Sequence, residues 1–363
     1  MRGLSNYLCA ILLIMLHVQS TILSLDTQYE NVFVGQQGES VSSEILTIPS
    51  VHYRNGSQLP LSSGLTSYTI HEDVPFYPLA DITGTSIGLI HGRPTLCGGY
   101  YRYDGNTRMG YIASNECWSY AMDNDSWVPE PDMTEERQYA GSVTINGSYY
   151  ILGGKNSDYV PISSIEKFDG KKWNQIGGMP WGVSSHCVTS INSSHVLVTG
   201  GDYLQESHPM DPPSHCSNVS YILNIKDFSW KKVESFAKNL TKRWEIKCGH
   251  GCSKMPGADS KIVLVGAAVN TDTDEISNIV ETFDPVSEQW MSGPQFPFPI
   301  NGAALINKSS SILMIGGISL NNGEALNTIY ELHQNNSWTF LEDKLKYARY
   351  GFSAISFDQN MLS

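Results

Sequence analysis

Charge is scarce in this chain. Only 16% of its 363 residues are Asp, Glu, Lys or Arg, and no run of like charge occurs. Basic residues are the rarer sign, 23 against 36 acidic, for a formal net charge of −13. Nucleic acid and anionic membrane surfaces demand clustered Lys and Arg, so both are disfavoured as partners. No 3.6-residue apolar period persists past residue 20, which argues against a helical fold. Low-complexity tracts are absent. Past residue 20 no segment is apolar enough to span a bilayer as a helix, so no membrane insertion is expected of the mature chain. Missing too are a nucleophile elbow, a P-loop, a dinucleotide fingerprint and a metalloprotease helix. The reading therefore assigns no catalytic residue, no cofactor and no metal.

What the chain has in quantity is glycine and aromatics: 32 Gly, 19 Tyr, 11 Phe and 8 Trp. That composition fits a turn-rich β protein. Its length is too great for one small core and points to several domains or a repeat array. The clearest unit runs from Tyr139 to Trp173. Ser142–Ile145 alternates, Asn146-Gly147 turns, and Tyr149–Leu152 returns to end on Gly153-Gly154. Ser164–Phe168 alternates again, Asp169-Gly170 turns, and Trp173 opens a fourth strand. Asn-Gly and Asp-Gly between alternating runs are strong hairpin signals.

The unit recurs. Glycine pairs close apolar runs at Gly98-Gly99, Gly153-Gly154, Gly200-Gly201 and Gly316-Gly317, with Gly266-Ala267 as a degenerate copy. Each precedes a loop, an alternating strand, a polar turn and a tryptophan: Trp127, Trp173, Trp230, Trp290 and Trp338. Tyr120, Leu223 and Phe283 stand seven positions before their Trp. A β-repeat of this period predicts a propeller of stacked sheets. The glycines are expected to leave room for bulky neighbours, with the fourth-strand Trp as the occupant.

Double glycine, hydrophilic loop, then a Tyr-like residue and Trp at fixed spacing resembles the kelch repeat, over about residues 84–357. The resemblance implies an all-β, six-bladed kelch β-propeller with four-stranded blades. Arg349–Phe357 matches the opening strand of a repeat, and Asn31–Gly35, Ser43–Ile48 and Thr66–Ile70 supply the remaining strands of that blade. One blade is thus split between the N- and C-termini. Residues 31–363 form a single domain, with blades at about 31–80 plus 349–357, 84–130, 138–178, 185–235, 248–293 and 301–342. Nothing in the chain resembles the BTB and BACK domains of cytosolic kelch adaptors, which sets that architecture aside as an expectation.

Residues 1–20 are expected to be a cleaved signal peptide, with Arg2, the apolar core Cys9–Leu16 and the small-residue site Val18-Gln19-Ser20. Residues 21–30 form a lead-in, and the product is expected to be secreted. Six cysteines then remain in an oxidising compartment. Cys97 and Cys117 fall on neighbouring antiparallel strands and are expected to pair, contributing about 3 kcal/mol. Cys187, Cys216, Cys248 and Cys252 allow three pairings: Cys187–Cys216 within a blade, Cys248–Cys252 as a local loop, or a cross-blade pair such as Cys187–Cys252.

Eight sequons begin at Asn55, Asn124, Asn146, Asn192, Asn218, Asn239, Asn307 and Asn335. Asn146, Asn192 and Asn307 fall between first and second strands. Asn124, Asn335 and Asn55 fall between third and fourth. In an up-and-down blade these turns share one face of the disc, so glycan is expected there and binding on the other.

That other face receives two long loops. The first carries Tyr100, Tyr101, Arg102, Tyr103, Arg108 and Tyr111, residue types that anchor interfaces. The second carries Glu206, His208, Asp211 and His215. Some plant kelch proteins bind iron through Glu, Asp and His spaced four apart, and Glu206, Asp211 and His215 miss that spacing by one. The expected function is a secreted, N-glycosylated binding module for an extracellular protein or glycan, its oligomeric state unassigned. A second reading is a small carbohydrate-active enzyme resembling the exported sialic-acid mutarotases, with Glu136, Arg137 and Arg349 as acid/base candidates.

Overall fold

The computed structural model describes residues 27–34, 44–51, 69–71 and 82–358, apart from 103–110, 122, 205–213, 218, 234–241, 244–250, 258–259, 267, 270–275, 279 and 309. Every regular element among these is a strand. Six four-stranded antiparallel sheets carry the architecture. Five are contiguous in the chain and are numbered here as blades 1–5. Blade 1 is Ser86–Ile90, Arg93–Cys97, Cys117–Ala121 and Ser126–Glu130. Blade 2 is Gly141–Ile145, Ser148–Leu152, Ser164–Phe168 and Trp173–Gly178. Blade 3 is Cys187–Ser190, His195–Thr199, Ser220–Asn224 and Trp230–Val233. Blade 4 is Gly251–Lys254, Ile262–Val265, Val280–Asp284 and Gln289–Ser292. Blade 5 is Ala304–Asn307, Ser311–Ile315, Thr328–His333 and Trp338–Lys344.

The sixth sheet is composite. Thr27–Val34, Glu44–Val51 and Thr69–His71 are completed on the inner side by Ala354–Asp358, with Asn31 opposite Phe357 and Phe33 opposite Ile355. The first strand of each blade touches the first strand of the next, and this ring closes from the composite sheet back to blade 1. The molecule is therefore a propeller whose two chain ends are zipped into one blade.

Innermost strands have one edge with no ladder partner, which leaves N–H groups to satisfy. Hydroxyls from the next blade do part of this. Ile87 N and Leu89 N donate to Ser142 Oγ and Thr144 Oγ1, and Ser142 Oγ donates back to Ile87 O at 2.9 Å. Ser353 Oγ makes the matching bond across the closure, to Thr85 O at 2.8 Å.

The apolar core is a set of layers between blades. Ile90, Tyr149, Ile151, Phe168 and Trp173 fill the layer between blades 1 and 2. Leu152, Ile165, Val196, Val198 and Leu223 fill the next. Leu197, Leu264 and Phe283 pack between blades 3 and 4, and Val263, Val280, Ile312 and Met314 between 4 and 5. Both faces of a sheet are buried, which explains why the second strands are apolar without alternation.

The glycine pairs serve a purpose different from the one expected. A Cβ on Gly153 would sit 2.4 Å from Val183 O of the next blade, and one on Gly154 would sit 2.8 Å from Gln138 O of its own. Both have positive φ, 61° and 101°, which an L side chain resists. The pair is thus wedged between two backbone carbonyls rather than beneath a tryptophan. The outer Trp residues do another task. Trp173, Trp230 and Trp338 donate their indole N–H to Pro131 O, Gly178 O and Pro294 O at 3.0, 3.2 and 3.0 Å. Each acceptor lies where the preceding blade ends, so each Trp pins its blade to the one before.

Two disulfides lie among the described residues. Cys97–Cys117 joins the second and third strands of blade 1, as expected. Cys187–Cys252 joins the first strands of blades 3 and 4, the cross-blade choice among the pairings left open. Cys248 lies outside the described residues, and of Cys216 only the backbone is described, opposite Asp202.

Candidate binding face

Antiparallel up-and-down blades send their connections to two different faces. Turns between strands one and two, and between three and four, emerge on what we term the turn face. Loops between strands two and three, and the crossings to the next blade, emerge on the loop face.

Five sequon asparagines are described, and all five stand exposed on the turn face. Asn146, Asn192 and Asn307 occupy inner turns, and Asn124 and Asn335 outer ones. Local bonds make them turn residues. Asn192 Oδ1 accepts from Ser194 N and His195 N at 2.9 and 3.0 Å, and Asn335 Oδ1 accepts from Ser337 N at 3.1 Å. Asn146 Nδ2 donates to Ser193 O at 2.8 Å and ties neighbouring inner turns together. Asn55, Asn218 and Asn239 lie outside the described residues.

On the loop face both long loops begin as two-stranded ribbons. Tyr100–Arg102 pairs with Tyr111–Ala113, and Asp202–Leu204 with Ser214–Cys216. Tyr100 and Tyr101 are half-buried. Tyr139 OH donates to Tyr100 OH at 3.1 Å, their rings 5.6 Å apart, so one tyrosine from each of two blades meets at the rim. Arg102 sits opposite Tyr111, and His215 opposite Tyr203. Tyr103, Arg108, Glu206, His208 and Asp211 lie outside the described residues.

Of the residues that knit this face, only Glu136 is among those singled out from the sequence, and there as an acid/base candidate. Ser157 Oγ accepts from Ala113 N at 3.0 Å, joining the blade 1 ribbon to the blade 2 loop. Glu136 Oε1 accepts from Ser157 N at 3.0 Å. The Lys155 ammonium pairs with the Asp202 carboxylate and joins blade 2 to blade 3. A signal for the last pair was available. Tyr100, Lys155 and Asp202 each follow a glycine pair directly, so they are equivalent positions on successive blades, two of them oppositely charged.

Below the surface lies the Arg137–Glu166 pair. Neither side chain is exposed, and their contact is 2.6 Å. Arg137 also donates to Gly153 O and Ser164 Oγ at 2.7 and 2.9 Å, while Glu166 accepts from Thr134 N at 2.7 Å. This network is structural, holding the crossing from blade 1 onto blade 2. Arg349 is likewise buried, at 4% exposure. Neither arginine is among the described residues that line the channel enclosed by the first strands. The crossing itself is acidic, with Asp132, Glu135 and Glu136 in sequence. Partial desolvation and then the Glu116 carboxylate raise Asp132 above the ordinary carboxylate range.

The first strands enclose an axial channel of about 620 Å³. Its described lining is mixed, with Val188, Ala304 and Ile306 standing beside the hydroxyls of Ser142, Thr144, Thr189, Ser190, Ser253 and Ser353. His186 is the one titratable side chain in it, since Cys187 and Cys252 are joined. No group of three or more His, Cys, Asp or Glu that could hold a metal occurs among the described residues.

Residues 136–180, which are blade 2 and the crossing into it, match the Kelch motif family. Beta-scruin of Limulus polyphemus is 23% identical over 233 residues, 60% of this chain and 23% of that protein. Kelch-like protein 40 of Xenopus tropicalis is 24% identical over 232 residues, 62% of this chain and 34% of that protein. Spermatocyte protein spe-26 of Caenorhabditis elegans is 21% identical over 276 residues, 74% of this chain and 35% of that protein. The chain thus spans about a quarter to a third of the length of these curated relatives. The solved structure of YjhT superposes with a TM-score of 0.59 at 14% identity, over 76% of this chain and 87% of that one. At that identity the likeness is one of fold.

Proposed function

We propose that this chain, a kelch-repeat β-propeller, is a secreted protein-binding module that engages an extracellular partner through its loop face. One observation carries the reading: the two faces are chemically unlike. The turn face bears all five described sequon asparagines, each exposed. The loop face bears the Tyr100–Tyr139 pair and three blades knit together by Ser157, Glu136, Lys155 and Asp202. Rigid aromatics on a scaffold that does not need to reorganise are efficient interface anchors. Glycans on the opposite face would leave this surface clear. The signal-like segment at residues 1–20 supports export, which both disulfides and sequons require.

A glycan ligand and a mutarotase-like reaction are the other readings of such a propeller. Acid–base catalysis needs side chains positioned on the reacting group with a pKa near the operating pH. The described channel lining offers His186 alone, and the arginines and carboxylates nearest the rim are engaged in structural bonds. This favours binding over chemistry.

The test uses the exported full chain against an array of extracellular proteins. A partner is expected whose capture is abolished by Tyr101→Ala combined with Asp158→Arg, and unaffected by Gln at Asn146, Asn192 and Asn307. The reverse pattern would assign binding to the turn face and sink the proposal. Peptide mass mapping of the same material reads occupancy at each sequon, and unmodified asparagines throughout would remove the face-selective glycan from the argument.

A further inference from the structure

Four residues of the loop face form a ladder across blades 2 and 3. Gln138 and Lys155 exchange backbone hydrogen bonds of 2.9 and 2.8 Å, and Ser184 and Asp202 exchange bonds of 2.9 and 2.7 Å. Lys155 crosses the blade boundary to Asp202 Oδ2. Gln138 is 1% exposed, Ser184 0% and Asp202 4%. Nevertheless Gln138 Oε1, Ser184 Oγ and Asp202 Oδ1 have no hydrogen-bond partner. A buried polar atom without a partner is unfavourable. Three such acceptors lie in one ladder.

The chemistry of the three atoms is shared. A Gln carbonyl oxygen, a carboxylate oxygen and a hydroxyl all accept hydrogen bonds. Lys155 is the most accessible member, its side chain 18% exposed, and it occupies only one carboxylate oxygen. The neighbouring crossing adds Asp132, Glu135 and Glu136, while its one cation, Arg137, is turned inward onto Glu166. The group that complements these acceptors is positively charged and rich in N–H donors.

We propose that this ladder receives an arginine side chain of the partner, a proposal that rests on the loop-face reading above. Asp202 Oδ1 accepts one guanidinium N–H, and Gln138 Oε1 and Ser184 Oγ accept others. Lys155 stays on Asp202 Oδ2, which leaves Oδ1 for the incoming guanidinium. Arginine suits the site better than lysine. Its planar fork spreads five donors over separated acceptors, whereas an ammonium is a compact and strongly hydrated point charge.

The test titrates N-acetyl-arginine methylamide into the exported full chain and follows binding by ligand-observed NMR. The citrulline and lysine counterparts serve as controls. The arginine probe is expected to bind roughly tenfold more tightly than either. Asp202→Asn is expected to weaken it by a similar factor, and Gln138→Glu, which adds a second carboxylate, to tighten it. Citrulline binding as well as arginine would overturn the proposal, as would unchanged binding by Asp202→Asn. If Asp202→Asn does not fold, Gln138→Glu decides, because the expected change there is a gain. A folded Gln138→Glu protein with unchanged or weaker binding overturns the proposal. A partner captured through the loop face, all of whose arginines can be replaced without loss, would remove this receptor while leaving the binding face intact.

Discussion

Arg137 donates to Glu166 Oε1 at 2.6 Å with neither side chain exposed, deep beneath the crossing from blade 1 to blade 2. Both ions are out of water, so their attraction offsets a large desolvation cost and their net contribution is small. The asymmetry lies in breaking the pair. Glu166→Leu leaves the buried guanidinium with only the part-exposed Glu135 carboxylate, 3.4 Å away, as counter-ion, and strips Thr134 N of its acceptor. It is expected to lower stability by about 3–5 kcal/mol in urea denaturation. Arg137→Met combined with Glu166→Leu is expected to lose less than either alone. A double variant that loses the sum would refute the coupling.

The tryptophan pins make a second prediction. Trp173 is 3% exposed, packs edge-on against Tyr149 and at a tilt against Phe168, and donates to Pro131 O. Trp173→Phe keeps most of the packing and removes the bond, for an expected loss of about 1 kcal/mol. Trp173→Ala removes both, for about 3–5 kcal/mol. Equal losses from the two variants would mean that the indole N–H contributes nothing.

The two described disulfides constrain the unfolded chain to different extents. Cys97–Cys117 closes 20 residues and Cys187–Cys252 closes 65. Chain entropy assigns them about 3 and 4 kcal/mol. Cys187→Ser with Cys252→Ser is therefore expected to shift the denaturation midpoint further than the corresponding pair of changes in blade 1. Non-reducing peptide mapping checks the pairings themselves.

Much of this fold was legible because propeller blades repeat. Glycine pairs, Asn-Gly and Asp-Gly turns and spaced tryptophans recur in phase, and the leftover strand at Arg349–Phe357 called for partners at the other end of the chain. The physical reasons behind those residues were less accessible. Gly153 is required by a carbonyl from the next blade, a contact 30 residues away in sequence that no local pattern encodes. Trp173 reaches back to Pro131 for the same reason. The site was harder still. Tyrosine-rich loop composition was visible, but Ser157, Lys155 and Asp202 matter because of which blade stands beside them, and that is set only when the ring closes.

Acid sensitivity has a repeated local cause. Asp169, Asp227 and Asp284 open equivalent outer turns in blades 2, 3 and 4. For Asp169 the Lys172 and Lys171 N–H groups hold the carboxyl below its ordinary range; for Asp227 the Ser229 hydroxyl and N–H do so, and for Asp284 chiefly the Val286 N–H. Burial alone would raise Glu331, but the Lys308 ammonium and the Ser311 hydroxyl outweigh it and hold it low as well. A carboxyl depressed in the folded state contributes stability above its unfolded pKa, near 4, and loses it as pH falls through the folded value. Replacing the three turn aspartates by Asn is expected to flatten the fall in stability between about pH 5 and pH 2. An acid limb of unchanged steepness would place the sensitivity elsewhere.

The unlike faces can be tested by placing a glycan on the loop face. Asn156 lies on the loop face, in the blade 2 loop that contacts blade 1, and is followed by Ser157 and the exposed Asp158. Asp158→Thr converts this stretch into a sequon, and the bond from the backbone N–H of residue 158 to Asn156 Oδ1, 3.0 Å in the parent, does not depend on the side chain replaced. The fold is therefore expected to tolerate the change. A glycan there stands beside Tyr100, Tyr139 and the Lys155–Asp202 pair, so it is expected to abolish partner capture. Enzymatic deglycosylation of the same variant is expected to restore most of it. A glycan at Asn146, on the far side of the disc, is expected to do neither. Capture that survives a fully occupied Asn156 and fails when the Asn146 turn is modified would invert the assignment of the two faces.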